Sequence, residues 1–160
     1  MARSAAVVTA NWASLEPSVA TRILVATDGS REAELAVTTA ADLAKSTDSE
    51  LHVVHVGEVP LVYHPERHAY QAEYEEHEKV SQQLLESQVQ RIEGASATEA
   101  QAHLRMGRAD EEIVELANNI DAGLIVMGSR GHGRLRRALV GSVSESVVRH
   151  AHCPVTIVRE

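Results

Sequence analysis

The chain has 160 residues, 44% of them hydrophobic, which suits one domain with a sizeable core. Phe is absent and only one Trp and three Tyr occur, so the core is aliphatic and stacking platforms for single-stranded nucleic acid are lacking. A formal net charge of −8 argues against broad binding to a nucleic-acid backbone, and no apolar run approaches the roughly 20 residues of a membrane-spanning helix.

Residues 1–20 carry a single Arg and a short Ala/Val stretch without the order of a signal peptide. A poorly ordered extension is expected there, followed by one domain over residues 21–160. The first strand is expected at Arg22–Ala26, and residues 32–45 then place Ala33, Ala36, Val37, Ala40, Leu43 and Ala44 on one helical stripe. A second strand is expected at 51–56. The irregular stretch 57–70, with Pro60 and Pro65, is the candidate lid or partner loop. A long polar helix over 71–93 turns Val80, Leu84, Leu85, Val89 and Ile92 inward, and its acidic cluster Glu73, Glu75, Glu76 and Glu78 suits a helix start. A strand at 99–105, a helix at 110–119 with Ile113, Leu116 and Ala117 inward, and a strand at 124–127 follow. A short helix at 142–149 ends before Pro154, and Val155–Val158 forms the last strand. The runs at 51–56, 124–127 and Val155–Val158 are nearly all apolar, as in strands buried on both faces. This regular alternation predicts an α/β fold, an open five-stranded parallel sheet with helices on both faces, Rossmann-like.

Ligands of such sheets bind beyond the carboxyl ends of the strands, where the strand order reverses. Two strand ends carry unusual loops: Thr27-Asp28-Gly29-Ser30, and Gly128-Ser129-Arg130-Gly131-His132-Gly133. Glycines let backbone amides converge on an anion, and Gly141-Ser142 opens a helix whose N-terminus adds unpaired amides. Between Gly128 and His150 stand Arg130, Arg134, Arg136, Arg137 and Arg149 against Glu145 alone, a local basic excess in an acidic chain. A solvated surface loop is the bland alternative. The pattern is neither a Walker-type loop nor the dinucleotide fingerprint.

Gly128-x-x-Gly131, nine residues and then Gly141-Ser142 resembles the ATP-binding motif of universal stress proteins. The resemblance extends over roughly residues 21–160, through Val25-Ala26-Thr27-Asp28-Gly29-Ser30, the strand at 51–56 ending in His-Val, Leu124-Ile125-Val126-Met127-Gly128-Ser129, and Cys153-Pro154-Val155. Gly123 departs from the family, which often has Asp before that strand. The resemblance implies an adenine nucleotide alpha hydrolase-like fold, a cytoplasmic stress-response protein, and bound ATP, or ADP or AMP, with Mg as counterion. It implies that Asp28, after Thr27, meets the adenosine portion and that backbone near Val56 meets adenine. Met127 and Gly128 would lie under ribose and phosphates, while Arg130, Gly131, Gly133, Gly141, Ser142, Val143 and Ser144 surround the phosphates. It also implies a homodimer through the last strand, Val155–Val158.

Local alternatives stand beside these roles. Asp28 in an Asp-Gly sequence also suits a turn or helix cap. Ser142-x-x-Glu145 is a capping-box pattern that accounts for a serine without a ligand. His64 and His68, or His150, His152 and Cys153, form no recognisable zinc pattern, and His55 reads as a core or pocket-wall residue. The lone Cys153 excludes an internal disulfide, fits a reducing cytoplasm and reads as a small buried residue. No dedicated base or Walker-type lysine is visible, so hydrolysis is expected to be slow at most. An adenylating enzyme and a partner-binding module of the same fold are the other readings. The first wants a glycine-rich loop after the first strand, and the second lacks the spaced glycines.

Overall fold

Strands without a polar face must be covered on both sides, and this chain supplies a helix after nearly every strand to do so. In the computed structural model, residues 5–8, 22–59, 67–96, 99–131 and 140–159 are described. They form β1 (Ala5–Val8), β2 (Arg22–Ala26), α1 (Arg31–Thr47), β3 (Glu50–Gly57) and α2 (Arg67–Ser96). After these come β4 (Ala100–Met106), α3 (Ala109–Asn119), β5 (Leu124–Gly128), α4 (Ser142–His150) and β6 (Val155–Val158). The sheet runs β1-β6-β5-β2-β3-β4, with β2 to β6 parallel and β1 antiparallel to β6.

One face of the sheet packs Ile23, Val25, Leu51 and Val53 against the alanine stripe of α1 and against Leu85 and Ile92 of α2. The other packs Leu24, Val54, Ile125 and Val155 against Ile113 and Leu116 of α3 and Val147 of α4. Small residues at Ala36, Ala40 and Ala44 let α1 lie close on the sheet, which compensates for a core without Phe.

Three details depart from the sequence reading. Residues 5–8 form β1, where no element was expected, because the partner that gives this short apolar run its ladder lies some 150 residues away and leaves no local signature. Val80 is 55% exposed and does not face the core. Helix α2 begins at Arg67, so Glu73 to Glu78 lie beyond its first turn and do not meet its N-terminal dipole. Of the connection expected at 57–70, Gly57 ends β3 and 67–70 open α2, while 60–66 lie outside the described residues.

The position of β1 bears on self-association. Ala5 to Val8 pair with Val158 to Val155, so β6 is paired on both sides, by β5 and by β1. The edge expected to meet a second copy is occupied by the chain itself. Deleting residues 1–8 unpairs that edge, and unpaired edges recruit further strands. Sedimentation velocity is expected to show the shortened chain associating at concentrations where the full chain does not. Identical sedimentation of the two would show that β1 does not shield the edge.

At the opposite side of the sheet, buried His52 and half-buried His103 stack with ring centroids 5.2 Å apart, and Nδ1 of His52 lies 2.9 Å from Nε2 of His103. Burial first, then His52 and Arg105, hold the His103 pKa below its usual value of 6.5. The folded chain therefore resists a proton that the unfolded chain accepts. Stability is unaffected at pH well above 6.5 and falls as pH drops through and below it. Urea midpoints at pH 7.5 and 5.5 should differ less in His103→Asn than in the unaltered chain.

Candidate functional site

Because β2 and β5 are neighbours in parallel, with Ala26 opposite Met127, their carboxyl ends leave the sheet side by side. From β2 the chain enters α1 on one face, and from β5 it proceeds to α4 on the other. The strand order reverses between them, which opens a crevice at this point. A cleft of about 530 Å³, open to solvent, lies there.

Its floor and walls are apolar, from Ala26, Val54, Val56, Ala109, Ile113 and Met127. Thr27 and Asp28 enter from the end of β2, and Gly128, Arg130 and Gly131 from the end of β5. Val143 and Ser144 close it from the first turn of α4. The sequence-predicted residues Thr27, Asp28, Val56, Met127, Gly128, Arg130, Gly131, Val143 and Ser144 are thus brought together. Gly141 and Ser142 adjoin the cleft without lining it, and Gly133 lies outside the described residues, as do Arg134, Arg136 and Arg137.

The loop after β2 is fixed by local chemistry. Thr27 N–H donates to Val54 O at 2.9 Å, and buried His55 holds the Thr27 carbonyl through Nδ1 at 2.8 Å. A carbonyl only accepts, so that nitrogen carries the proton. His55 therefore braces the cleft and does not line it. Asp28 Oδ1 accepts from Ser30 N–H at 2.9 Å, the turn role open to an Asp-Gly pair, with Gly29 at φ +78°. Ser30 then caps α1 by accepting from Ala33 N–H at 3.3 Å.

The described glycines of the segment from β5 to α4, Gly128, Gly131 and Gly141, are each in close contact. A Cβ at Gly128 would stand 2.9 Å from the backbone carbon of Glu32, one at Gly131 would stand 2.2 Å from Asp28 Oδ2, and one at Gly141 would stand 3.2 Å from Ser129 O. Gly141 N–H also donates to Ser129 O at 2.7 Å. The buried Ser144 hydroxyl donates to Gly128 O at 2.9 Å, so this side chain serves the loop.

Helix α4 starts differently from its capping-box pattern. Its N-cap is Gly141, not Ser142, and no side chain caps it. Gly141 has extended dihedrals with its carbonyl already accepting from Glu145 N–H, which moves Ser142 inside the helix, where its hydroxyl cannot cap. The first amides of α4 thus open beside the cleft without a side-chain partner from an N-cap residue.

Sequence reasoning missed Glu32. It reads as an ordinary acid of a helix's first turn, yet its Oε2 accepts from Ser129 Oγ at 2.5 Å and Arg130 N–H at 2.8 Å. No local pattern announces a contact across nearly 100 residues. Elsewhere, buried Cys153 has its thiol pushed up to about 11 by desolvation, which keeps it unreactive. Among the described residues no three His, Cys, Asp or Glu gather as metal ligands, and no helix is long and apolar enough to cross a membrane.

The profile of the Universal stress protein family matches residues 20–159. The chain belongs to the universal stress protein family. A putative universal stress protein of Staphylococcus saprophyticus is 37% identical over 139 residues, covering 86% of this chain and 82% of that one. Among solved structures, the universal stress protein UspA of Lactobacillus plantarum superposes with a TM-score of 0.78 at 26% identity, covering 87% of this chain and 97% of its own. A universal stress protein of Archaeoglobus fulgidus in complex with dAMP gives a TM-score of 0.61 at 26% identity, covering 89% and 100%. Another, in complex with cAMP, gives 0.67 at 25% identity, covering 89% and 99%. The five parallel strands and their flanking helices are the fold of this family, and in this chain β1 pairs alongside β6.

Gly128 is where this family frame and the cleft meet. Adding a methyl group there presses on the backbone of α1, which cannot yield as a side chain would. Gly128→Ala is expected to cost about 1–3 kcal/mol in urea denaturation, the usual range for overpacking.

Proposed function

We propose that the cleft binds an adenine nucleotide, ATP foremost and ADP or AMP in its place, and that this universal stress protein acts as a nucleotide-dependent regulatory or stress-response protein. The observation that carries this reading is the juxtaposition of an apolar cleft with a glycine loop and the start of α4, which has no side-chain cap, at the reversal point of the sheet. The apolar end suits a base, and the helix start suits phosphates. Two similar structures hold cAMP and dAMP, which supports an adenine ligand.

In this reading Asp28 Oδ2 and Thr27 face the ribose, and Val56 and Ile113 flank the base. Met127 and Gly128 lie beneath the nucleotide. Amides of Gly131, Ser142, Val143 and Ser144 meet the phosphates, with Arg130, Gly133 and Gly141 beside them, the Gly141 N–H being held by Ser129 O. Mg accompanies the phosphates as counterion. Among the described lining residues Asp28 is the single carboxylate and Arg130 the single cation, and Asp28 is held by Ser30. Among the described lining residues no group is placed to activate water, and we infer that hydrolysis is slow at most. Action in the cytoplasm and as a homodimer complete the proposal, with β6 engaging a second copy only once β1 has left it.

Thermal denaturation with ATP, ADP and AMP tests the ligand. At about 100 times its Kd a ligand adds roughly 2.7 kcal/mol, which raises the Tm of a domain this size by about 5–10 °C. Absence of a shift with all three at millimolar concentration would sink the reading.

A further inference from the structure

We propose that Glu32 is the positioning residue of the phosphate loop: from the first turn of α1, its carboxylate holds Ser129 and Arg130 so that the loop is set before ligand arrives. The inference rests on the nucleotide reading of the cleft and adds a residue to it.

Four observations converge on Glu32. Its Oε2 accepts both from the hydroxyl of Ser129, itself only 1% exposed, and from the Arg130 N–H. Its own backbone packs on Gly128, so the start of the loop and the side chain that grips it lie against the same helical turn. Ser30, two residues earlier, reaches the Arg130 carbonyl with a longer contact of 3.5 Å, so α1 addresses both backbone polar groups of Arg130. Finally, the other acid of this turn, Glu34, points elsewhere, to Arg91 of α2. The turn thus carries two acids with separate tasks, and only Glu32 crosses to the loop.

The chemistry fits a positioning role. A carboxylate at the N-terminus of a helix is favoured by the dipole, and its bonds to N–H and O–H are charge-assisted, hence strong and directional. Beyond Arg130 the chain must reach Gly131, whose Cα lies against Asp28 in the cleft. Glu32 at the Arg130 N–H fixes the Ser129–Arg130 peptide unit, and Ser30 at the Arg130 carbonyl addresses the next unit, which carries the Gly131 N–H. The same negative charge also opposes bound phosphates, so two effects of opposite sign meet in one side chain. Holding the loop requires only an acceptor oxygen; repulsion requires the charge. Substitution by Ala removes both, and substitution by Gln removes only the charge.

Calorimetric titration of adenosine and ATP against the unaltered protein, Glu32→Ala and Glu32→Gln separates these. In Glu32→Ala, ATP affinity should fall by about tenfold or more, the scale of a lost charge-assisted bond, while adenosine affinity changes by less than about threefold. Glu32→Gln, which keeps an acceptor for Ser129 and Arg130, should stay within about threefold of the unaltered protein for ATP or bind it more tightly. A purely structural role would lower adenosine and ATP affinity together. An unchanged ratio of the two affinities in Glu32→Ala, or tighter ATP binding by it, overturns the proposal. If Glu32→Ala does not fold, Ser129→Ala gives the same readout, with a smaller loss of ATP over adenosine expected and an unchanged ratio again overturning it. Failure of the unaltered protein to bind either compound overturns the nucleotide reading itself, and does so without any variant.

Discussion

The close approach of Gly128 to the first turn of α1 is the contact on which the site depends. Parallel pairing of β2 with β5 brings two chain segments out of the sheet together, one to begin a helix and one to begin a loop. They share so little space that a single methyl group at Gly128 would meet backbone. Everything nearby is built around that proximity. Ser30 caps the helix, Glu32 reaches back to the loop, and Ser144 ties the loop's carbonyls to α4. The cleft is what remains between two segments that the sheet forces to diverge.

This frame gives the spaced glycines a double meaning. Their spacing suits amides that converge on an anion, yet each described member also marks a packing contact, with α1, with Asp28 or with Ser129. The two explanations are compatible, since backbone that lies close to neighbouring chain is also held still. Preorganised donors lose less freedom on binding, which is how rigid packing becomes affinity.

Much of the architecture was legible because burial on both faces leaves a mark on composition. Leu124 to Met127 and Val155 to Val158 lack the alternation of a half-exposed strand, and the alanines of α1 repeat with helical spacing. What escaped the sequence was long-range or depended on a one-residue boundary. Ala5 to Val8 become a strand only because β6 offers an edge. Glu32 gains its role from a strand pairing that no local pattern encodes. Ser142 missed the cap position by a single residue, since Gly141 already has the extended geometry an N-cap requires. His55 showed the converse: its burial was readable, but its hold on Thr27 was not.

The aliphatic walls of the cleft carry a different consequence. Gly128, Gly131 and Gly141 are bounded by backbone or by Asp28, so they belong to a frame that tolerates little change. Val56, Ala109 and Val143 line the cleft from partly buried positions away from α1 and the loop, so their size and shape have more room to vary, whereas Ile113 lines it as part of the core. The site therefore divides into a closely packed cradle and an adjustable wall. A change in what such a cleft accepts is most easily made in the wall, one methyl group at a time, at positions that leave the packing of the cradle in place.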